Sequence, residues 1–207
     1  MKRGSSINLE NEAFIALKNV MDSYSPISAK TWESLTAISE FKSLSKYQVL
    51  YKSAELPTSF SFVYSGLLRV FVTDINGKEY NKNFFKEGTF PGSMSALLTS
   101  SPSRFTIESL EPSSIVTINF SAYRKLLLKA SDLKLFHIYY LERNWLLAKD
   151  AREVEIVQEN ASQRYQRFLK ENPSLSTRVP QYHIASHLGI TPTQLSRIRK
   201  NLNYQPM

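Results

Sequence analysis

The stretch VPQYHIASHLGITPTQLSRIRKNL, residues 179–202, carries apolar side chains at the spacing of two short helices joined by a tight turn. Ile184, Ala185 and Leu188 share one face of the first helix, and Gly189 can adopt the positive φ that such a turn needs. A small residue four positions before that glycine lets the two helices cross closely. The segment therefore predicts a helix-turn-helix.

The sequence gives a clear signal for the N-terminus of the second helix, because Thr191 is a good N-cap. Pro192 at the first helical position is also favourable, since its missing backbone N–H would have no partner there. Its inner face carries Leu195, Ile198 and Leu202. Its outer face is polar or basic and can read base edges and hold phosphates: Thr193, Gln194, Ser196, Arg197 and Lys200. A helical hairpin that binds no DNA is the alternative interpretation.

The net charge of the 207-residue chain is +8, and it is concentrated in the same region. Residues 161–207 hold seven basic side chains and one acid, a net charge of +6, whereas residues 1–160 hold only +2. A charge gathered in one segment is the electrostatic footprint expected of a nucleic-acid-binding surface. An evenly solvated surface would spread it along the chain.

Cysteine is missing altogether. This excludes disulfides, thiolate zinc sites, cysteine-bound iron–sulfur clusters and cysteine nucleophiles. The first residues lack the apolar run of a signal peptide, and no apolar stretch approaches the ~18 residues of a membrane span. We therefore expect a cytoplasmic protein with no membrane partner.

The region before the predicted helix-turn-helix has a different pattern of apolar residues. Apolar residues at helical spacing predict helices over 10–21 and 28–38, the second capped by Ser28. Short β-rich runs follow, which predict a barrel or sandwich: 47–51, 60–72, 80–85, 105–110 and 115–120. Asn76-Gly77 predicts a hairpin with a type I′ turn.

Residues 121–159 return to helical texture without a proline or glycine, and would span ~55 Å as an unbroken helix. One apolar row repeats every seven residues: Leu133, Tyr140, Leu147 and Val154. A second row lies on a different face: Ile138, Leu141, Trp145 and Ala148. One row could cover the chain's own barrel and the other a partner. The seven-residue repeat favours the first row as the seam of a homodimer, and a single helix buried on both faces is the alternative.

The whole chain resembles the Crp/Fnr family of bacterial transcription regulators. The resemblance is carried by PQYHIASHLGITPTQLSRIRK, by NASQRYQRFL at 160–169 and by FVYSGLLRVF at 62–71. It implies an α+β chain of three parts. These are an N-terminal double-stranded β-helix (jelly roll) of the cyclic-nucleotide-binding type over 1–120, a dimerisation helix over 121–159, and a C-terminal winged helix-turn-helix over 160–207.

The same resemblance implies which residues meet DNA. The recognition helix is Pro192–Leu202, and the family's base-reading arginine falls on Arg197, which can contact guanine through two hydrogen bonds. The two earlier base-facing positions fall on Pro192 and Thr193, and the phosphate contacts fall on Gln181 and Thr191. The implied partners are a palindromic operator, a second copy of the chain, RNA polymerase and a small-molecule effector.

The effector region departs from the family's cyclic-nucleotide pattern. Within EGTFPGSMSALLTSSPSRFTIESL, residues 87–110, the phosphate-binding arginine falls on Arg104. The ribose-binding glutamate after Gly92 is replaced by Ser93, and the hydroxyl residue after the arginine by Phe105. Each loss could cost ~1–3 kcal/mol. A cyclic nucleotide is therefore possible but not favoured, and the effector is unknown.

The alternative from another class is a ligand-binding protein or metal-dependent jelly-roll enzyme with a helical tail that does not bind DNA. Such enzymes need two or three histidines and a carboxylate inside the barrel, but residues 44–120 contain no histidine. His183 and His187 lie on one helix face without a carboxylate nearby, which favours a structural role, and His137 on the long helix is unsupported as a haem ligand. We therefore predict no catalytic residue and no metal site.

Overall fold

The computed structural model describes residues 2–149 and 158–203. They form two compact units. The first contains the described residues up to Val70 together with Phe84–Leu146, and the second contains Phe71–Asn83 together with the described residues from Leu147 onward. The segment Phe71–Asn83 therefore groups with the C-terminal helices, although it lies within the predicted sensor domain. The predicted boundaries at 120 and 159 stay a prediction.

Two helices open the first unit, as predicted: α1 (Lys2–Asp22) and α2 (Ala29–Thr36). Ser28 caps α2, since its hydroxyl accepts a hydrogen bond from the Thr31 amide at 3.3 Å. Both helices pack their apolar faces on the strands that follow.

In the described part of the chain, seven strands form two sheets. Their bounds are β1 (Ser39–Leu44), β2 (Val49–Tyr51), β3 (Ser59–Ser65), β4 (Leu68–Thr73), β5 (Glu79–Phe85), β6 (Thr106–Ser109) and β7 (Ser113–Asn119). The strand orders are β1-β7-β3 and β2-β6-β4-β5, with antiparallel pairing of β7 to β1 and β3 and of β2 to β6. The predicted run over 60–72 is two strands, and β1 was not predicted. A short helix, α3 (Met94–Thr99), lies between β5 and β6.

The hairpin between β4 and β5 is confirmed, but its turn is not of type I′. Gly77 has a φ of +78°, whereas Asn76 has no positive φ. The Gly77 amide donates to the Asp74 carbonyl at 3.0 Å, and the Asp74 amide donates to the Lys78 carbonyl at 2.9 Å. This is a three-residue loop with glycine in the left-handed position. The Asp74 carboxylate stabilises it by accepting from the amides of Asn76 and Lys78.

Alternate residues of the first sheet face two apolar clusters. Val63 and Ile115 point toward the second sheet, where they pack with Leu68, Val70 and Ile107. The opposite face of β3 and β7 packs against helices, and this helix-side cluster contains Phe60, Phe62, Val116, Ile118, Ala13, Leu17, Tyr123, Leu133 and Phe136.

The predicted uninterrupted helix over 121–159 is wrong at Ala130. Helix α4 (Phe120–Lys129) ends there, because Ala130 is extended with φ −99° and ψ 113°, and α5 (Ser131–Leu141) begins after it. The Asp132 carboxylate accepts from the Ser28 amide and the Thr31 hydroxyl, both at 2.9 Å. These bonds tie the start of α5 to the start of α2 and explain the turn without a proline or glycine.

A π-helix, Glu142–Leu146, follows α5, and residues 147–149 are helical. The second unit then contains α6 (Ala161–Glu171), α7 (Leu175–Arg178), α8 (Gln181–His187) and α9 (Pro192–Asn203). Over residues 158–203 the structure has helices and no strand, so it gives no support there to the predicted wing. Within the described ranges no helix is both long and apolar enough to span a bilayer.

Candidate nucleic-acid interface

Helices α8 and α9 lie in the segment predicted to be a helix-turn-helix, and they are joined by a turn at Gly189. Ile184, Ala185 and Leu195 are fully or almost fully buried, and Leu188 is buried beside them. The turn glycine, Gly189, has a φ of +69°, which L side chains rarely adopt. The burial of these side chains fixes the angle at which α9 leaves the turn.

The start of α9 is closed by a capping box. The Gln194 amide donates to the Thr191 hydroxyl at 3.1 Å, and the Gln194 side-chain oxygen accepts from the Thr191 amide at 2.8 Å. Two side chains predicted to contact DNA therefore already stabilise the helix end. The Gln194 side-chain amide nitrogen can still donate to a base or a phosphate.

The other predicted contacts lie on one exposed face of α9. Pro192, Thr193, Ser196, Arg197 and Lys200 are all exposed. Arg199 is also exposed and was not among the predicted contacts. The face offers three cations and two hydroxyls, which can hold phosphates and donate to base edges.

Gln181 is the first residue of α8 and is half-buried. Its side-chain oxygen is buried and has no hydrogen-bond partner within the described structure. A phosphate oxygen cannot pair with that acceptor, so the predicted phosphate contact of Gln181 has to come from its amide nitrogen.

An arginine that was not predicted as a site residue, Arg164, stabilises the turn between α8 and α9. Arg164 of α6 donates to the Glu159 carbonyl at 2.8 Å and to the Leu188 carbonyl at 3.2 Å. The second bond satisfies a carbonyl at the C-terminal end of α8, where a cation is favourable. The signal that could have found it is the capping pattern N-x-x-Q at Asn160 and Gln163, which begins α6 one turn before the arginine.

Two of the histidines have structural partners, as predicted. The Asn81 side-chain amide lies 3.1 Å from His183 Nδ1 and donates to the His183 carbonyl at 3.3 Å. His187 Nδ1 lies 3.3 Å from the Asn81 carbonyl oxygen. His137 is half-buried beside the Tyr123 hydroxyl, and burial lowers its pKa. Within residues 2–149 and 158–203, no group of three potential metal-binding side chains comes together.

The structure reassigns the two apolar rows after α4. Leu133 is completely buried within its own chain, and Tyr140 packs edge-on against Tyr24 and Phe90. Burial raises the pKa of Tyr140 to about 12. Leu133 therefore covers the chain's own sheet, which contradicts its predicted place in the seam, whereas Tyr140 is only half-buried and its place in the seam stays a prediction.

The remainder of the seven-residue row stays a predicted seam. Leu147 is 65% exposed, and Val154 lies outside the described residues. The second row is the exposed one, with Trp145 at 50% and Ile138, Leu141 and Ala148 also exposed. The face left for a partner thus carries the second row.

The predicted effector residues differ in their surroundings. Ser93 is buried, and its hydroxyl has no hydrogen-bond partner among the described residues. A side chain added at Gly92 would come within 2.8 Å of Phe60. Arg104 is exposed, and Phe105 is half-buried against the cluster between the sheets. The predicted effector site therefore stays a prediction.

A buried ion pair between the strands was also missed. Arg69 of β4 donates to Glu108 of β6, with both contacts at 2.7 Å, and Arg69 is almost fully buried. An arginine inside the apolar run FVYSGLLRVF was the available signal, since a buried charge needs a partner.

Residues 41–130 match the family described as the cyclic nucleotide-binding domain. Among curated proteins no match was found. FixK2 from Bradyrhizobium japonicum is similar in structure, with a TM-score of 0.67, 18% identity, and coverage of 80% of this chain and 85% of that one. The c-di-GMP-responsive global regulator CLP of Xanthomonas campestris is also similar, with a TM-score of 0.66 and 16% identity. The match covers 85% of this chain and 92% of that one. A transcriptional regulator of the Crp/Fnr family from Eubacterium rectale is similar with a TM-score of 0.61 and 16% identity. The match covers 86% of this chain and 84% of that one.

These matches confirm the predicted resemblance to the Crp/Fnr family in two respects, the cyclic nucleotide-binding domain and the fold. The fold is that of the cyclic-nucleotide-binding β-roll followed by C-terminal helices.

Proposed function

We propose that the protein is a homodimeric transcription regulator that binds double-stranded DNA in a sequence-specific manner, and that it is not an enzyme. The observation that carries the proposal is the exposed face of α9, where Arg197 stands among hydroxyl and basic side chains on a helix fixed from behind by α8. An arginine held in this way can donate two hydrogen bonds to one guanine.

The charge distribution supports the same proposal. The net charge of +6 in residues 161–207 supplies attraction to phosphates that does not depend on sequence. Base contacts from α9 then discriminate among sequences. The proposed partners are a palindromic operator and RNA polymerase in the bacterial cytoplasm, and no membrane is involved.

Selection from random DNA duplexes tests the proposal. We expect an enriched palindrome whose half-sites lie about one helical turn apart, ~34 Å, and an affinity that falls steeply with salt concentration. Recovery of no enriched sequence, together with an affinity insensitive to salt, would contradict the proposal.

The dimer is proposed to form through the exposed row that contains Ile138, Leu141 and Trp145. Trp145→Glu places a charge in this apolar face, and a buried aromatic of this kind typically contributes at least ~2 kcal/mol to an interface. We expect the dimer dissociation constant to rise at least about 30-fold, measured by sedimentation at micromolar concentration. Leu128→Glu is the matched control, since Leu128 is 68% exposed on α4, outside the row. An unchanged dimer in Trp145→Glu would exclude this face.

The effector is proposed to act through the β-roll, and cAMP is not favoured. The space between the sheets is packed by Leu68, Val70 and Ile107, and Arg104 is exposed. We expect cAMP to leave the melting temperature unchanged. A ligand at one hundred times its dissociation constant would add about 2.7 kcal/mol to stability, so a clear upward shift with cAMP would contradict the expectation.

A further inference from the structure

Helix α8 contacts the outer edge of strand β5 through a set of side-chain hydrogen bonds. The backbone amide of Asn81 donates to the Ser186 hydroxyl at 3.0 Å, and that hydroxyl donates to the backbone carbonyl of Glu79 at 2.9 Å. Within the described residues strand β5 is the last in its sheet, so no described strand pairs with residues 79 and 81 on this side. Ser186 and His187 pair with these groups in place of a strand.

The side chain of Asn81 adds a second layer to the contact. It donates to the His183 carbonyl and lies 3.1 Å from His183 Nδ1, and both residues are only 5% exposed. A buried polar group without its partner is costly, so this network favours a single docked arrangement.

The hydrogen bonds indicate which ring nitrogen of each histidine accepts and which donates. The Asn81 side-chain nitrogen can only donate, so His183 Nδ1 accepts and its ring proton lies on Nε2. The Asn81 carbonyl can only accept, so His187 Nδ1 carries a proton. The two neutral rings are therefore expected to be opposite tautomers.

We propose that Asn81 is a positioning residue for DNA binding: through His183 and Ser186 it fixes helix α8, and hence the direction in which α9 presents Arg197. The inference rests on the proposed DNA-binding function. Asn81 does not contact DNA and acts through α8. Strands β4 and β5 are continuous from the first unit into the second, so the tip of a sensor hairpin becomes part of the DNA-binding unit.

The test compares two alanine substitutions in the same hairpin of the full-length protein. Asn81→Ala removes the donor to His183, and Asn76→Ala is the control because Asn76 is exposed in the loop. For each variant, the dissociation constant is measured with the selected palindrome and with an unrelated duplex at low salt. We expect Asn81→Ala to weaken binding to the palindrome at least about 10-fold, and binding to the unrelated duplex to change less than about 2-fold, because phosphate attraction needs no exact orientation. Asn76→Ala should match the wild type.

A merely structural role would lower both affinities by one factor, the folded fraction, and that result would overturn the proposal. Unchanged palindrome binding by Asn81→Ala, with normal binding by the wild type, would overturn it while leaving the proposed function intact. No binding by the wild type would overturn both.

Two further measurements test the role of Asn81 if Asn81→Ala folds poorly. Ser186→Ala removes the bond to the Asn81 amide and should give the same split between the two affinities. Nitrogen-15 spectra of the wild type should show opposite neutral tautomers for His183 and His187, and identical tautomers would contradict the network.

Discussion

Arg197→Ala is expected to weaken binding to the selected operator by ~1–3 kcal/mol at each half-site, about 5- to 150-fold. Arg197 is exposed on α9, and its loss removes a bidentate contact to one guanine. Discrimination at that base pair should relax, so the variant should tolerate all four bases there. Competition titrations against operators changed at single positions measure both effects.

Lys170→Ala is the matched control for charge. It removes the same single positive charge from an exposed position of α6, away from α9. We expect a small loss of affinity that is equal for all sequences and disappears at high salt. If Arg197→Ala behaved like Lys170→Ala, Arg197 would be a phosphate contact and the assignment of base reading to it would be wrong.

Leu133→Ala is expected to destabilise the first unit by ~2–5 kcal/mol, because it opens a cavity in the cluster that joins α5 to the first sheet. Trp32 packs against that cluster, so its fluorescence in a Trp145→Phe background follows this unit alone during urea unfolding. The transition should move to lower urea concentration with little change in slope.

Leu128→Ala makes the same substitution at a site that is 68% exposed, and it should change the free energy of unfolding by less than ~0.5 kcal/mol. The comparison also separates the two apolar rows. If Leu133→Ala dissociated the dimer without shifting the unfolding midpoint, the seven-residue row would be the seam after all.

The pair of helices around Gly189 could be predicted because its constraints are local. Gly189 needs a positive φ, Ala185 needs a small side chain, and Pro192 fits only the first helical position. Each requirement is visible in one or two residues, and together they fix the pair. Which side chains of α9 remain free was less predictable, because Gln194 can serve either the capping box or DNA.

The two apolar rows show where sequence reasoning stops. A seven-residue repeat says that one face of a helix is covered, but not whether the cover is a second chain or the chain's own sheet. The cover of Leu133 and Tyr140 comes from residues far away in sequence, including Tyr24, Phe60 and Phe90. The break at Ala130 is equally non-local, since it depends on Asp132 binding the start of α2.

Asn81 had no signal of its own in the sequence. An asparagine in a β-rich run suggests a turn or an exposed edge. Its burial follows from α8, whose residues lie about one hundred positions later.

The docking of α8 on strand β5 also bears on solubility. An uncovered strand edge is a template for pairing with another chain, and it leads to strand exchange or aggregation. A fragment that ends at residue 149 would lack Ser186 and His187 and would leave the edge groups of residues 79 and 81 bare. The helices proposed to bind DNA are therefore also expected to keep this edge of β5 from pairing with another chain, in a role in which no DNA takes part.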